Sequence, residues 1–249
     1  MPSPPAPTPT GTSRSQSVPR PAAIYDPVAR TLDAIGDRWS LVLVRHLMLG
    51  AKGFQELRMR TGIAPRVLSA RLKELMERGF VDSLEGARGG YAITDLGRSL
   101  EPIVASIARW YTRHGKQALQ IDSGQFTETS PQSIVESLPF LLREENAAGA
   151  DVTFELRLTG HGGGVWTIRI RRGQCTVRPD FAARADVRYT AVARTWCAVA
   201  LGLADARELV RSGAMTKEGA DDAMDHYFHQ IHRPEPTGEG GATPQRSSL

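Results

Sequence analysis

The sequence predicts two folded domains, a mainly α-helical N-terminal domain that carries a small β element and a C-terminal α+β domain. Its 249 residues, 41% of them hydrophobic, are enough to build two cores. Apolar residues recur at helical spacing up to about residue 120, and they alternate as in strands after about residue 150. Both ends of the chain are rich in Pro, Ser, Thr and Gly, a composition that disfavours folding.

These observations set the expected domain boundaries. We expect a disordered tail at 1–20, the helical domain at 21–120, a linker at 121–130, the α+β domain at 131–233 and a disordered tail at 234–249. No apolar run approaches the roughly 20 residues that cross a membrane, and the N-terminal segment lacks the order of a signal peptide. We therefore expect a cytoplasmic protein without a membrane partner.

The segment 54–93 can hold two short helices, a glycine turn, a third helix with a basic face and a small hairpin. In the third helix, which Pro65 starts and Gly79 stops, one face is apolar: Leu68, Leu72, Leu75 and Met76. The opposite face has small or basic side chains that let a helix enter a major groove: Arg66, Ser69, Ala70 and Lys73. This order predicts a winged helix-turn-helix and makes double-stranded DNA the first partner to consider.

The wing is predicted from two short alternating strands, at 80–84 and 91–93, around a glycine-rich segment. Arg88 lies near its tip, where a guanidinium can reach a phosphate or a narrow minor groove, although a merely solvated arginine is the alternative. Ala64 is a poor N-cap, which leaves the start of the recognition helix open to a DNA phosphate. The complete set of predicted DNA contacts is Lys52, Arg66, Ser69, Ala70, Lys73 and Arg88.

Several motifs in order resemble the HxlR-type transcriptional regulators of prokaryotes over about residues 26–115. They are Asp-Pro-Val-Ala-Arg at 26–30, Ile-Gly-Asp-Arg-Trp at 35–39, Phe-Gln-Glu-Leu at 54–57, Pro-Arg-Val-Leu-Ser-Ala-Arg-Leu at 65–72 and Tyr-Ala-Ile-Thr-Asp-Leu-Gly at 91–97. The resemblance implies a homodimer bridged by its terminal helices on a palindromic operator. Many family members have a cysteine where this chain has Asp26, so thiol sensing at that position is excluded.

Two further features agree with such a regulator. Residues 1–120 contain 17 Lys and Arg against 10 Asp and Glu, whereas the remainder contains 14 against 17. The basic half is the proposed DNA-binding half, although an arginine-rich proteome would explain the same excess. The segment 99–120 has an apolar stripe, which we assign to dimer contact rather than to packing within the domain, and a break at Gly115: Leu100, Ile103, Val104, Ile107, Trp110 and Tyr111.

The C-terminal half begins with a helix at 134–142 that a proline disturbs, and alternating strands follow. Strands at 152–158 and 165–170 flank His-Gly-Gly-Gly at 161–164, a hairpin signal, and strands at 174–177 and 186–190 extend the sheet. Helices are expected at 195–203 and 204–212. These elements predict an α+β domain.

This half resembles the sterol-carrier-protein-like domains over about residues 134–231. The resemblance is carried by Gly-Val-Trp-Thr-Ile-Arg at 164–169, Asp-Val-Arg-Tyr-Thr at 186–190, Thr195 with Trp196, and the segment 202–209. It implies a sheet covered by helices, with a hydrophobic tunnel that could hold a small apolar effector. The candidate ligand contacts are Phe154, Trp166, Tyr189 and Trp196, for which ordinary core packing is the alternative.

Other classes of site are weakly indicated. The two cysteines, Cys175 and Cys197, lack zinc-ligand spacing and are expected to be reduced. His226, His229 and His232 could share a helix face and bind a metal, but a polar surface explains them as well, and we expect no metal or cofactor. Glycines 162–164 lack the context of a phosphate loop, and no nucleophile motif appears, so we expect no enzyme.

The sequence therefore predicts a sequence-specific DNA-binding regulator, with repression as the expected effect. It would act as a homodimer that responds to a small hydrophobic effector, and it would be nucleoid-associated when bound to DNA. The competing hypothesis is a hydrophobic-ligand carrier whose winged helix serves only dimerisation or protein contact.

Overall fold

A computed structural model describes residues 26–85, 89–119 and 122–229 of the protein, with only the backbone described at 116–118. The predicted tails at 1–20 and 234–249 lie outside these residues. The N-terminal domain contains α1 Pro27–Ile35, α2 Ser40–Met48, α3 Phe54–Thr61, α4 Pro65–Glu77, β1 Val81–Leu84, β2 Gly90–Ile93, α5 Asp95–Arg98 and α6 Glu101–Ala118. No helix among the described residues is long and apolar enough to span a membrane.

Helices α3 and α4 form the helix-turn-helix, and their turn depends on a glycine. Gly62 follows α3 with φ 67°, a left-handed conformation that side chains other than glycine rarely adopt. The prediction of two short helices between residue 54 and this turn was wrong. The segment forms one helix of eight residues, α3, which buries the side chain of Leu57. The helix that precedes α3 is α2, which lies upstream of the segment in which the two short helices were expected.

The N-terminal core is built where α2, α3 and α4 meet. Leu43, Leu47, Leu57, Leu68 and Leu72 are at most 1% exposed in this core. Strands β1 and β2 pair antiparallel from Val81 opposite Ile93 to Leu84 opposite Gly90, which makes the predicted wing.

Helix α6 continues past the predicted break at Gly115 and ends at Ala118. Gly115 is buried, and a Cβ atom there would lie only 3.0 Å from the Tyr111 ring. The glycine therefore makes room for an aromatic ring one turn earlier and does not end the helix.

The C-terminal domain is an α+β unit, as predicted. Its five strands lie in the order β5-β4-β3-β6-β7. They are β3 Asp151–Thr159, β4 Gly164–Arg171, β5 Gln174–Arg178, β6 Val187–Val192 and β7 Met215–Gly219. Strands β3 and β4 form the predicted hairpin, and β6 lies parallel to β3. The sequence reading missed β7, which covers the edge of β6.

Short helices complete this domain. They are α7 Ser130–Val135, a 3-10 turn Leu138–Leu141, α8 Glu144–Ala147, α9 Ala193–Ala200, α10 Ala206–Arg211 and α11 Met224–Tyr227. The helix expected at 134–142 is divided because Pro139 lacks an N–H and disfavours helical backbone before it. Trp196 of α9 packs with Phe154, Leu156 and Ile168 of the sheet in one continuous core.

Candidate nucleic-acid interface

Helix α4 has one buried and one exposed face, as the sequence predicts. Leu68, Leu72 and Leu75 are at most 1% exposed and enter the N-terminal core. All four predicted groove-facing side chains are exposed on the other side: Arg66, Ser69, Ala70 and Lys73. We call these four residues the α4 face. Lys73 makes only a loose pair with Glu77, with 3.7 Å between Nζ and Oε1. The α4 face is therefore open to a large ligand.

The start of α4 has a polar character of its own. Pro65 lies in its first turn, and Ala64 caps the helix without a side-chain hydrogen bond. Amide groups of the first turn therefore have no side-chain acceptor, and they lie at the positive end of the helix dipole. A phosphate oxygen suits such a position.

Two other arginines of this region are held by protein carboxylates. The Nε atom of Arg71 lies 3.5 Å from Oδ1 of Asp37, and its Nη1 donates to Glu74. Arg78 donates from Nη2 to Glu74 at 3.4 Å and to the backbone oxygen of Asp33 at 3.3 Å. These arginines hold α4 against its neighbours, whereas Arg66 and Lys73 point to solvent.

Lys52 is not part of the α4 face. Its backbone exchanges two hydrogen bonds with Tyr91 of β2, at 3.0 and 2.9 Å, and these bonds tie the wing to the segment before α3. Its side chain is 7% exposed, with Nζ 4.0 Å from Oε1 of Glu56. Burial lowers the pKa of this ammonium. The structure places Lys52 where it positions the wing, and its predicted DNA contact stays a prediction.

The tip of the wing is not described, and Arg88 lies outside the described residues, so its DNA contact stays a prediction. The base of the wing is closely packed. A Cβ atom on Gly90 would lie 3.2 Å from the Lys52 carbonyl oxygen, so a glycine here allows the two segments to approach. The wing therefore begins at a fixed place beside α3.

A polar cluster between the domains was missed by the sequence analysis. Arg60 of α3 donates to Glu136, which follows α7. Arg45 of α2 donates from Nη2 to the Ser133 backbone oxygen at 2.6 Å and to Ser137 Oγ at 3.1 Å. These partners are 76 to 92 residues apart, so no local spacing could reveal them. We call these five residues, together with His46, the interdomain cluster.

The surroundings of His46 in this cluster strongly lower its pKa. It is 3% exposed, and its Nε2 lies 3.2 Å from Arg45 Nη1, which places the proton of the neutral ring on Nδ1. That Nδ1 lies 3.8 Å from Glu136 Oε2, too far for a hydrogen bond. Burial, followed by the positive charges of Arg45, Arg60 and Lys52, lowers the pKa of His46 to about 3.

The apolar stripe of α6 divides between two surroundings. Leu100 and Val104 are buried within the domain. Exposed apolar side chains remain on α1 and α6, namely Val28, Leu32, Ile103, Ile107 and Trp110, with exposures of 38–65%. We call these five residues the α1/α6 face. At the start of α1, the Asp26 side chain accepts from the Val28 and Ala29 amides and serves as the N-cap.

The four predicted ligand contacts of the C-terminal domain are core residues in this structure. Phe154, Trp166, Tyr189 and Trp196 are at most 7% exposed. The cavity beside Tyr189 and Trp196 measures only about 30 Å³, roughly the space of one water molecule. A ligand role for these residues stays a prediction, and it would require the sheet and its helices to separate.

The remaining candidate groups are arranged as follows. Both cysteines are free, and burial raises the pKa of Cys175 to about 12 and that of Cys197 to about 11. Helix α11 ends at Tyr227, so His226 and His229 do not share a helix, and His232 lies outside the described residues. Within the described residues, no group of three or more His, Cys, Asp or Glu side chains is placed to hold a metal ion.

Known proteins resemble the N-terminal half. The family profile described as HxlR-like helix-turn-helix matches residues 34–119. The uncharacterized HTH-type transcriptional regulator YdeP of Bacillus subtilis is 30% identical over 107 residues, which are 41% of this chain and 84% of YdeP. YybR of the same organism, also an uncharacterized HTH-type transcriptional regulator, is 37% identical over 34% of this chain and 71% of YybR.

Other relatives are longer than the matched region. An uncharacterized HTH-type transcriptional regulator of Mycobacterium tuberculosis is 33% identical over 34% of this chain, and the chain spans only 56% of its length. Among solved structures, the reduced form of the redox regulator HypR is 34% identical over 38% of this chain and 98% of HypR, with a TM-score of 0.35.

Proposed function

This chain belongs, through its N-terminal domain, to the HxlR-like helix-turn-helix family, and we propose that it is a transcriptional regulator that binds a specific sequence of double-stranded DNA. The observation that carries the proposal is the α4 face. It is the exposed side of a helix whose opposite side is locked into the core, and its side chains are small or basic. Such a helix can enter the major groove without losing its own packing.

In the proposed complex, each residue of the α4 face has a distinct part. The guanidinium of Arg66 and the ammonium of Lys73 contact phosphates or guanine edges, while the small Ser69 and Ala70 allow close approach to the bases. A phosphate meets the start of α4. Arg88 of the wing and Lys52 at its base remain in the proposed contact set, although Lys52 would have to turn outward to reach a phosphate.

We further propose a homodimer on a palindromic operator. The α1/α6 face supports this, because five exposed apolar side chains on two helices gain most from burial against an identical face. A dimer would present two α4 helices to two half-sites. Repression is the expected effect, since a dimer that covers a promoter blocks transcription by occupancy alone.

The C-terminal domain is proposed to have a sensing role. Its resemblance to sterol-carrier-protein-like domains is kept as part of this proposal. The competing hypothesis, a hydrophobic-ligand carrier whose winged helix serves only dimerisation or protein contact, is favoured by the size of this second domain and its independent core. The two hypotheses differ in whether the α4 face is needed for retention on DNA.

The experiment is binding of the purified protein to the DNA upstream of its own gene and, if that fails, to genomic fragments selected with the protein. If a dimer makes roughly 6 to 10 phosphate contacts, the affinity should fall by about 10³ to 10⁵ between 50 and 200 mM salt. Salt-insensitive binding, or binding no stronger than to competitor DNA across the genome, would reject the regulator in favour of the carrier.

A matched pair of variants locates the interface. The double variant R66A/K73A should weaken specific binding at least about 100-fold, since each contact contributes about 1 to 3 kcal/mol. The control R178A/R211A removes two basic side chains that are each 74% exposed on the other domain. An equal loss of DNA affinity in the two double variants would show that only overall charge matters. Thermal unfolding at the wild-type temperature would establish that both variants are folded.

A further inference from the structure

A cavity of about 590 Å³ lies between the two domains. Helices α2 and α6 form one wall, and the opposite wall comes from the C-terminal domain and the segment that leads into it. Small-molecule sites in proteins measure about 300–1,000 Å³ and occur preferentially at domain interfaces. We call this space the interdomain cavity, and its size and position are those of a small-molecule site.

The walls of the interdomain cavity are largely apolar. Val104, Ile107 and Tyr111 line it from α6, while Ile134, Phe140 and Leu141 line it from the C-terminal domain. An apolar body placed here would be removed from water on two opposite sides. Burial of apolar surface of this kind stabilises a bound apolar molecule.

Two charged side chains lie on these walls, Arg45 and Asp122. The Asp122 carboxylate already accepts from the Gly124 amide at 2.7 Å. The Arg45 guanidinium donates from Nη2 to Ser133 and Ser137, and its Nη1 lies 3.2 Å from His46. A guanidinium has five N–H groups, so these contacts to described residues leave Nε–H and one Nη1–H for another acceptor.

We propose that the interdomain cavity binds a small, largely apolar molecule that carries one carboxylate or similar anionic oxygen group. The apolar body packs against Ile107, Tyr111 and Phe140, and the anionic oxygens accept hydrogen bonds from Arg45. Charge-assisted bonds from a guanidinium to a carboxylate are among the stronger hydrogen bonds in proteins, which gives the site its preference for an acid over the matching alcohol.

The position of Arg45 connects this cavity to the DNA-binding half. Arg45 holds Ser133 and Ser137, while Arg60 of α3 holds Glu136 between them in sequence. A ligand that draws Arg45 toward the cavity weakens bonds that fasten the helix-turn-helix to the C-terminal domain. This regulatory consequence rests on the proposed function, whereas binding of the ligand does not.

A second copy of the chain is the alternative occupant, because Ile107 belongs to both the cavity wall and the α1/α6 face. The small molecule is favoured because both walls come from one chain. An apolar helix could also not accept hydrogen bonds from the half-buried Arg45. If a second copy fills the cavity, ligand affinity should weaken as the protein is concentrated into dimers, and that result would overturn the proposal.

The first test uses the full chain without DNA. Titration with the fluorescent anion 8-anilinonaphthalene-1-sulfonate should saturate at about one molecule per chain, and decanoate should displace it at least tenfold better than decanol. Filling the cavity with A108F should weaken both ligands at least tenfold. The control A105F makes the same change on the same helix outside the lining, and it should bind normally.

A second variant that fills the cavity keeps the test valid if A108F does not fold. Thr129 is exposed and lies on the opposite wall, so T129F should block the cavity even if A108F fails to fold. R45Q should remove the preference for decanoate over decanol, whereas the exposed R113Q should retain it. The proposal is overturned if binding does not saturate, if both filled variants bind like the control, or if R45Q keeps the preference.

The regulatory part has its own readout. Decanoate should change the affinity for operator DNA in the wild type and not in T129F. A wild-type chain that binds DNA but neither 8-anilinonaphthalene-1-sulfonate nor decanoate would reject the cavity site and leave the proposed function standing. Ligand binding without any DNA binding would reject the regulator and retain the site.

Discussion

His46 makes the stability of the protein depend on pH in a window that is set by its surroundings. The histidine is 3% exposed beside Arg45, Arg60 and Lys52, and its pKa is lowered from 6.5 to about 3. In the unfolded chain the ring takes up a proton near pH 6.5, whereas in the folded protein it stays neutral. The unfolded state therefore binds more protons below pH 6.5. The free energy of unfolding is not reduced by this titration above pH 6.5, and it falls as the pH decreases toward 3.

The magnitude follows from the shift in the pKa of His46. One pKa unit corresponds to about 1.4 kcal/mol, so the full loss approaches about 5 kcal/mol near pH 3. At pH 5 only the unfolded ring is protonated, and the loss is about 2 kcal/mol. Glu136 lies 3.8 Å from the ring, but it is already paired with Arg60, so it does not offset the three cations.

The assay compares urea unfolding of the wild type and H46Q at pH 7 and pH 5. Glutamine keeps an acceptor for Arg45 and removes the titrating ring. The wild type should lose about 2 kcal/mol more than H46Q over this interval. The variant H161Q removes a histidine that is 75% exposed and serves as the control. Equal pH dependence of stability in the wild type and H46Q would refute the conclusion that His46 is buried and neutral in the folded protein.

Three further changes have expected results. Replacing the buried Leu72 by Ala should lower the free energy of unfolding by about 2–5 kcal/mol, measured in urea, because α4 loses core packing. E155Q should cost about 3 kcal/mol in the same assay, since Arg157 and Arg188 each donate to this buried carboxylate at 2.7 Å. W110D should weaken the proposed dimer at least about tenfold in sedimentation, because it places a charge on the α1/α6 face.

Each of these changes has a matched control. Val67 of α4 is 40% exposed, and V67A should cost much less than L72A. Asp151 forms exposed pairs with two arginines, so D151N should cost less than about 1 kcal/mol. Phe181 is 67% exposed on the other domain, and F181D should leave dimerisation unchanged. If a control variant lowers stability or weakens dimerisation as much as the variant with which it is paired, the physical reason given for that prediction is wrong.

Much of the N-terminal domain could be predicted because its information is local. The spacing of Leu68, Leu72 and Leu75 placed one side of α4 in the core, and the same geometry placed Arg66 and Lys73 outside. The hairpin between β3 and β4 was likewise evident from alternation and a glycine turn. Helix boundaries were less certain, as the continuation of α6 through Gly115 illustrates.

The sequence by itself determined the elements and which side of each is apolar, because helix and strand periodicity depend on neighbours a few residues away. Only the tertiary structure decided that Lys52 is buried, that β6 lies beside β3, and that Arg45 faces Ser133 across the domain boundary. These contacts join residues that are distant in sequence, and their free energy depends on how whole elements pack. The interdomain cavity exists for the same reason, since neither domain alone contains it.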